Sequence, residues 1–318
     1  MKSILFITSN RLGDAVLSTG VLSHFVEKYP GAQITVVCGQ VPAGLFDCVP
    51  GIKEIIVLKK QPYSTHWWKM WRRTIFTIWD VVVDLRNAPL SYLLFAKRQI
   101  HLGRADKQNI HRVRALGSVL GRKDNPPSPM LWTDVEHEKN GAKLMGGSEQ
   151  VLVLCPTANW TGKTWPPERF IELALRLTAH DGILPKAKIA VIAHYSESEK
   201  AAPILAGLPP ERTIDLVGDL PLLSIYSCLK RAAFVVCNDS GLMHMAASSG
   251  APTLGLFGPS NEEHYGPWGI NCESIRGDKK YEDAIPSDYD WHNMPSLMLG
   301  LTIEKTETAA RELWNKIR

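Results

Sequence analysis

Six cysteines in 318 residues, with no C-x-x-C pair among them, argue against both a zinc site and a disulfide framework. Cys38, Cys48, Cys155, Cys228, Cys237 and Cys272 are scattered, and several fall inside apolar runs where a reduced thiol acts as a small hydrophobe. Long hydrophobic runs are also missing. Blocks such as Val151 to Cys155 and Ala232 to Cys237 fall far short of the roughly 18 residues that a membrane-spanning helix needs. At the start of the chain only Ile4 to Ile7 are consecutively apolar before Arg11 and Asp14, too few for a secretory signal, so a cytoplasmic location is expected. The first polar loop, Ser9 to Asp14, lacks G-x-G-x-x-G, and no segment matches G-x-x-x-x-G-K-[ST], which disfavours dinucleotide and P-loop sites. No low-complexity tract or solenoid-period repeat is present.

What remains is a chain of ordinary globular composition, 45% apolar and 21% charged, whose length suggests two domains. The net charge of +4 conceals an asymmetry: residues 1–149 hold 20 Lys+Arg against 12 Asp+Glu, and residues 150–318 hold 16 against 20. An anionic partner is therefore expected on the first half.

Each half opens with a strand-like run that breaks at a polar loop and resumes as a helix. In the first, Ser3 to Thr8 precedes the loop Ser9 to Asp14 and a helical pattern over Ala15 to Lys28. Strands follow at Gln33 to Cys38, Glu54 to Leu58 and Asp80 to Leu85, the last apolar enough for a buried parallel sheet. A helix is expected over His66 to Trp79, with Trp67, Trp68, Trp71, Ile75, Ile78 and Trp79 near one face. The Pro-, charge- and Gly-rich stretch from Asn125 to Gln150 reads as the boundary, giving domains 1–149 and 150–318. The second half alternates strands at Val151 to Pro156, Ala187 to Ala193, Ile214 to Leu216, Phe234 to Asn238 and Pro252 to Phe257 with helices. An amphipathic helix over Glu304 to Ile317 closes it and is placed to pack back on the first domain. The expected fold is α/β, two Rossmann-like doubly wound domains.

Three strand-to-helix loops carry candidate chemistry. Asp239-Ser240-Gly241 follows the strand Phe234 to Asn238, so the free N–H groups and positive end of the next helix point at whatever binds there, and a diphosphate suits them. The same residues also serve as an ordinary N-cap, with His244 a core histidine. The loop Pro156 to Pro166 places one cation, Lys163, among Thr157, Thr161 and Thr164, where it either neutralises a phosphate or is solvated. Asp14, just inside a helix N-terminus, is either a dipole-complementing surface carboxylate or a general base.

Taken together, these segments resemble the family-nine glycosyltransferases, the lipopolysaccharide heptosyltransferase family. The resemblance runs through RLGDAVLSTGVLSHFVEKYPGAQITVV at 11–37, KTWPPERFIELALRL at 163–177, DLVGDLPLLSIYSCLKRAAFVVCNDSGLMHMAAS at 215–248 and GAPTLGLFGPSNEEHYGPWG at 250–269. It implies a GT-B architecture of two Rossmann-like domains facing across a cleft, the first binding acceptor and the second nucleotide-sugar. It further implies a catalytic aspartate at Asp14 and a donor-diphosphate lysine at Lys163. Donor contacts fall at Glu197, Asp239, Ser240, Gly241, Leu242 and His244. Apart from the resemblance, Thr157 is expected to meet the donor as a hydroxyl of the Lys163 loop, and Gly13, Arg112 and Arg114 are expected to meet the acceptor, the two arginines as members of the basic stretch Lys97 to Lys123. The family often has glycine where this chain has Thr157.

The expected activity is inverting transfer of a heptose or related sugar from a nucleotide diphosphate, with ADP favoured, to an anionic glycolipid acceptor of the lipopolysaccharide core. An epimerase or hydrolase on the same fold, or a non-catalytic binder, are the alternatives. No cofactor or metal is expected: the nucleotide-sugar is a substrate, and the one D-x-D, Asp288-Tyr289-Asp290, lies in a Pro-flanked stretch far down the chain. The stretch Lys97 to Lys123, with eight basic residues against Asp106 alone, is expected to meet the acceptor; nucleic acid is not expected, because few aromatics interleave. Lys59 to Trp79 combines Lys59, Lys60, Lys69, Arg72 and Arg73 with four tryptophans. That composition suits reversible contact with the cytoplasmic membrane surface, or packing on the sheet, or both.

Overall fold

The computed structural model describes residues 1–59, 65–103, 110–147, 150–285, 287, 289 and 295–318. Lys60, Arg104, Asp106, Lys107, Asp288 and Asp290 lie outside the described residues. The chain forms two compact units, Met1–Asp134 and Val135–Arg318.

The first unit is built on five parallel strands: β1 (Ser3–Ile7), β2 (Gln33–Gly39), β3 (Ile52–Leu58), β4 (Trp79–Asp84) and β5 (Ala96–His101), in the order β3-β2-β1-β4-β5. The central strands are apolar throughout because both faces are covered. Helix α1 (Leu12–Lys28) follows β1, and α2 (Thr65–Thr74) precedes β4. Trp67, Met70, Trp71 and Thr74 recur at helical spacing and turn toward the cluster of Leu5, Ile7, Val37, Ile56, Leu58, Trp79 and Val82. The helix ends five residues short of Trp79, which begins β4 and donates its indole Nε1–H to the Thr74 carbonyl at 3.0 Å. A residue read as part of a helical face is therefore the first residue of a strand. α3 (Arg112–Gly117) packs on α1.

The second unit carries six parallel strands: β6 (Val151–Cys155), β7 (Lys188–Ala193), β8 (Thr213–Val217), β9 (Phe234–Asn238), β10 (Thr253–Phe257) and β11 (Cys272–Arg276), in the order β11-β10-β9-β6-β7-β8. The helices between them are α4 (Val135–Leu144), ahead of β6, then α5 (Pro167–Leu177), α6 (Ser198–Gly207), α7 (Leu222–Leu229), α8 (Gly241–Ser248) and α9 (Glu262–Tyr265). α10 (Ile303–Ile317) is the expected terminal helix. Ala309, Ala310, Leu313 and Trp314 enter the second unit's core, and the helix packs on α5 and β11.

The division between units falls at 134/135, where the sequence pattern suggested 149/150. The charged segment Glu136 to Lys139, read as part of the boundary stretch, lies in α4, and α4 docks on α7. Glu138 accepts hydrogen bonds from Ser227 Oγ at 3.1 Å, Lys230 Nζ at 2.6 Å and Arg231 Nη1 at 2.7 Å. Gly141 allows the close approach, since a Cβ there would stand 2.2 Å from Ser227 Oγ. No disulfide joins the six cysteines, and burial pushes the Cys38 and Cys272 thiols up to about 12. Among the described residues, no helix is long and apolar enough to cross a membrane. Gly141→Val should force α4 away from α7 and destabilise the protein by about 2 kcal/mol or more, read as a lower urea midpoint; an unchanged midpoint would show that α4 is loosely held.

Candidate active site

In a doubly wound sheet, ligands bind beyond the carboxyl ends of the strands where the strand order reverses. In the second unit that point lies between β6 and β9, whose neighbouring residues Cys155 and Cys237 are paired in register. The two loops leaving these strands are the ones that carry Lys163 and Asp239-Ser240-Gly241.

Asn238, the last residue of β9, is fully buried and ties the loops together. Its Nδ2 donates to the Pro156 carbonyl at 2.6 Å, and its Oδ1 accepts from the Trp165 N–H at 3.2 Å. Trp165 is itself fully buried and donates its indole N–H to the Leu301 carbonyl at 2.8 Å. The segment between these anchors thus runs from one fixed point to another, with Lys163 near its middle. Lys163 Nζ lies 2.5 Å from Asp239 Oδ2, an ion pair that is mostly buried. Asp239 is therefore the counter-ion that aims Lys163, a role that its position ahead of the helix does not disclose.

Ser240 is the N-cap of α8, yet its side chain makes no capping hydrogen bond. Among the described residues, the first-turn amides beginning at Gly241 and Leu242 therefore donate no hydrogen bond to the N-cap side chain, the condition under which a helix start receives an anion. His244 is buried in the second turn of the same helix. On the neighbouring loop, Thr157 is buried and its Oγ1 donates to Glu197 Oε2 at 2.8 Å, so two residues 40 apart in sequence meet where the resemblance put donor contacts.

The first unit reverses order between β1 and β4. The loop after β1 is held from several sides: Thr8 N–H donates to the Val37 carbonyl at 2.8 Å, Thr8 Oγ1 meets Ser18 Oγ at 2.7 Å, and Gly39 N–H donates to the Ser9 carbonyl at 3.3 Å. Gly39 also permits the approach of Asn10, whose Cα would stand 2.6 Å from any Cβ at 39. This loop delivers Gly13 and Asp14 into the first turn of α1. Asp14 Oδ1 lies 3.7 Å from Arg112 Nε, with both side chains less than one-fifth exposed. The ion pair joins two residues that were expected to have separate duties, base and acceptor contact. Arg114 faces Asp124 at 3.9 Å and is more exposed. Lys97 is taken up by Asp80 at 2.9 Å, and hydrogen bonds from Lys97, the Ser3 N–H and Lys2 hold that carboxyl well below the usual range.

Asp84, Arg86 and Asn10 at this edge escape a reading by motif. Asp84 is fully buried at the end of β4 and accepts from Arg86 N–H at 2.8 Å, Ala88 N–H at 2.7 Å and Ser91 Oγ at 2.6 Å. His101 Nδ1 is 3.8 Å from it, and burial lowers the imidazole's pKa against the opposing pull of Asp84. The signal available was a carboxylate ending an otherwise apolar strand, which at that depth must be satisfied by hydrogen bonds.

A model of glycosyltransferase family 9 (heptosyltransferase) matches residues 82–285. The chain belongs to this family. It is a glycosyltransferase with a fold of the GT-B class, two parallel-sheet α/β units. Lipopolysaccharide heptosyltransferase 2 of Salmonella typhimurium is 29% identical over 168 residues, half of this chain, which spans only 47% of that relative's length. Lipooligosaccharide heptosyltransferase 2 of Haemophilus influenzae is 24% identical over 312 residues, 86% of this chain and 88% of the relative. The solved ADP-heptose lipopolysaccharide heptosyltransferase II of Escherichia coli superposes with a TM-score of 0.74 at 18% identity, covering 100% of this chain and 99% of that one.

The geometry at Lys163 yields a direct test. Lys163→Ala should weaken binding of a nucleoside diphosphate by about 10-fold or more and leave the free nucleoside nearly unaffected, since only the first carries the charge. Calorimetric titration with both ligands checks this, and equal losses would make Lys163 a bystander.

Proposed function

We propose that this chain transfers a heptose or related sugar, with inversion, from a nucleotide diphosphate, ADP being the nucleotide, to a hydroxyl of an anionic glycolipid acceptor of the lipopolysaccharide core. The observation that carries the reading is the second unit's switch point, where Lys163, aimed by Asp239, stands beside a helix start that its N-cap residue Ser240 leaves uncapped. Family membership and the relatives' printed activities, heptose transfer to lipopolysaccharide or lipooligosaccharide and ADP-heptose as a sugar donor, support the substrate classes. On this reading the second unit binds donor and the first binds acceptor.

Asp14 accepts the proton of the acceptor hydroxyl as that oxygen attacks the anomeric carbon from the face opposite the diphosphate. The bond from that carbon to the diphosphate oxygen breaks, and its electron pair leaves with the nucleotide. Negative charge grows on the leaving group, and Lys163 with the Gly241 and Leu242 amides stabilises it. Thr157 and Glu197 serve the donor from the neighbouring loop, Glu197 toward the ribose, while Arg112 orients Asp14 and, with Arg114, meets the acceptor. The scheme uses no metal and no cofactor. Asp14→Asn keeps the size of the side chain but removes the base, so turnover should fall by about 100-fold or more while donor binding is retained; near-normal turnover would overturn the assignment.

The enzyme also touches the membrane surface reversibly through α2. Trp67, Trp71 and Trp79 are engaged with the sheet, whereas Trp68 is 56% exposed on the helix that carries Lys69, Arg72 and Arg73. The supporting pattern is an exposed indole among cations, suited to anionic headgroups. Co-sedimentation with anionic vesicles at low salt, lost with neutral vesicles or when Lys69, Arg72 and Arg73 are all changed to Glu, is the expected result. Binding that survives the triple change would leave α2 only its packing role.

A further inference from the structure

Arg86 occupies the edge of the first sheet where β1 and β4 diverge. Ile7 and Asp84 are neighbours in the parallel register, so Asn10, three residues beyond one, and Arg86, two beyond the other, rise from the same edge. The turn that carries Arg86 is locked. Its own N–H and that of Ala88 are bound by the Asp84 carboxylate, Asn87 holds a left-handed φ of 57°, and Asn87 Nδ2 donates to the Leu102 carbonyl at 2.6 Å.

The guanidinium is equally fixed. Its Nη1 donates to Asn10 Oδ1 at 2.8 Å, and its plane lies over the Trp67 ring, 4.9 Å from Cζ to centroid. Among the described residues it forms no salt bridge. Asp84 is close enough to act on it through space, but its oxygens are already occupied by two amides and the Ser91 hydroxyl. Burial lowers the Arg86 pKa against the opposing pull of Asp84. A planar, pre-oriented guanidinium with donors left over is the side chain best matched to a carboxylate or phosphate.

We infer that Arg86 is an oxyanion receptor for the acceptor, binding a carboxylate or phosphate carried close to the hydroxyl that Asp14 deprotonates. The inference rests on the proposed function and names one residue that selects its acceptor. Asn10 and Trp67 hold the guanidinium, and since Asn10 lies on the loop that leads into the first turn of α1, four residues ahead of Asp14, the anion and the base are referenced to one continuous segment. The receptor would discriminate by charge, since an acceptor lacking the anionic group leaves a half-buried cation unpaired.

The test uses the full-length enzyme and a lipid-free core oligosaccharide in three forms: native, treated with phosphatase, and with its carboxylates reduced to alcohols. Arg86→Met and Arg86→Lys are compared with wild type. Acceptor binding is measured by calorimetry without donor, and acceptor and donor KM in turnover. Arg86→Met should weaken native oligosaccharide binding by about 10-fold or more and leave the donor KM within about twofold, with Arg86→Lys between. The penalty should vanish for whichever treated form lacks the group, and that form identifies carboxylate or phosphate. An equal penalty on all three forms, or a matching loss for donor, would reduce Arg86 to a support for the Asn10 loop and overturn the inference. Unchanged native binding in Arg86→Met would overturn it as well. If wild type binds the oligosaccharide but transfers no sugar, the proposed function fails while the calorimetric comparison still decides the role of Arg86.

Discussion

A parallel strand can reach its neighbour only by a crossover, and somewhere in each doubly wound sheet the crossovers must change direction. In this chain that constraint falls between β1 and β4 and again between β6 and β9, where two loops diverge. Asp14, Asn10 and Arg86 rise at the first point, Lys163 and the start of α8 at the second. The β strands themselves supply only an apolar platform. The chemistry depends on loops that would wander without the buried anchors beneath them, Asp84 in one unit and Asn238 in the other. Each ends a buried strand with a polar side chain that has no water and so must bind the loop above it.

The doubly wound α/β fold was legible in the sequence because central parallel strands are buried on both faces and read as short apolar runs. β5 and β11 were not legible. Both are edge strands, and Lys97, Arg98 and Gln99 in one, or Glu273 and Arg276 in the other, carry no such run. α4 fell inside the stretch read as the boundary for a related reason: Gly141 is its only buried residue, and the docking on α7 is carried by Glu138, whose three partners lie about 90 residues away. Trp79 fell on a helical wheel with Trp68 and Trp71 although the helix had already ended.

At the site, Asp14, Lys163 and Ser240 could be read because a strand, a polar loop and a helix occur in sequence order, and the family resemblance gave them roles. Asn238, Asp84 and Arg86 could not be read in the same way. The Asn238 contacts reach 82 residues to Pro156 and 73 to Trp165, and that of Arg86 reaches 76 to Asn10. Nothing local distinguishes an asparagine that clamps two loops from one that simply ends a strand. The ion pair of Asp239 with Lys163, 76 residues away, was equally out of reach of a local pattern.

On the proposed reading, the pairing of Lys163 with Asp239 bears on how a nucleotide leaves. A free ammonium would gain the full attraction of an arriving diphosphate; one that already has a carboxylate gains only the difference between two anions. The same difference is all that departure must overcome, because the carboxylate remains in place to take the ammonium back. The lysine can therefore grip the charge that builds on the leaving group during bond cleavage without turning the spent nucleotide into a tightly held inhibitor. On the proposed reading, Asp239 sets the ease of product release, and with it the pace at which the site is cleared for the next sugar.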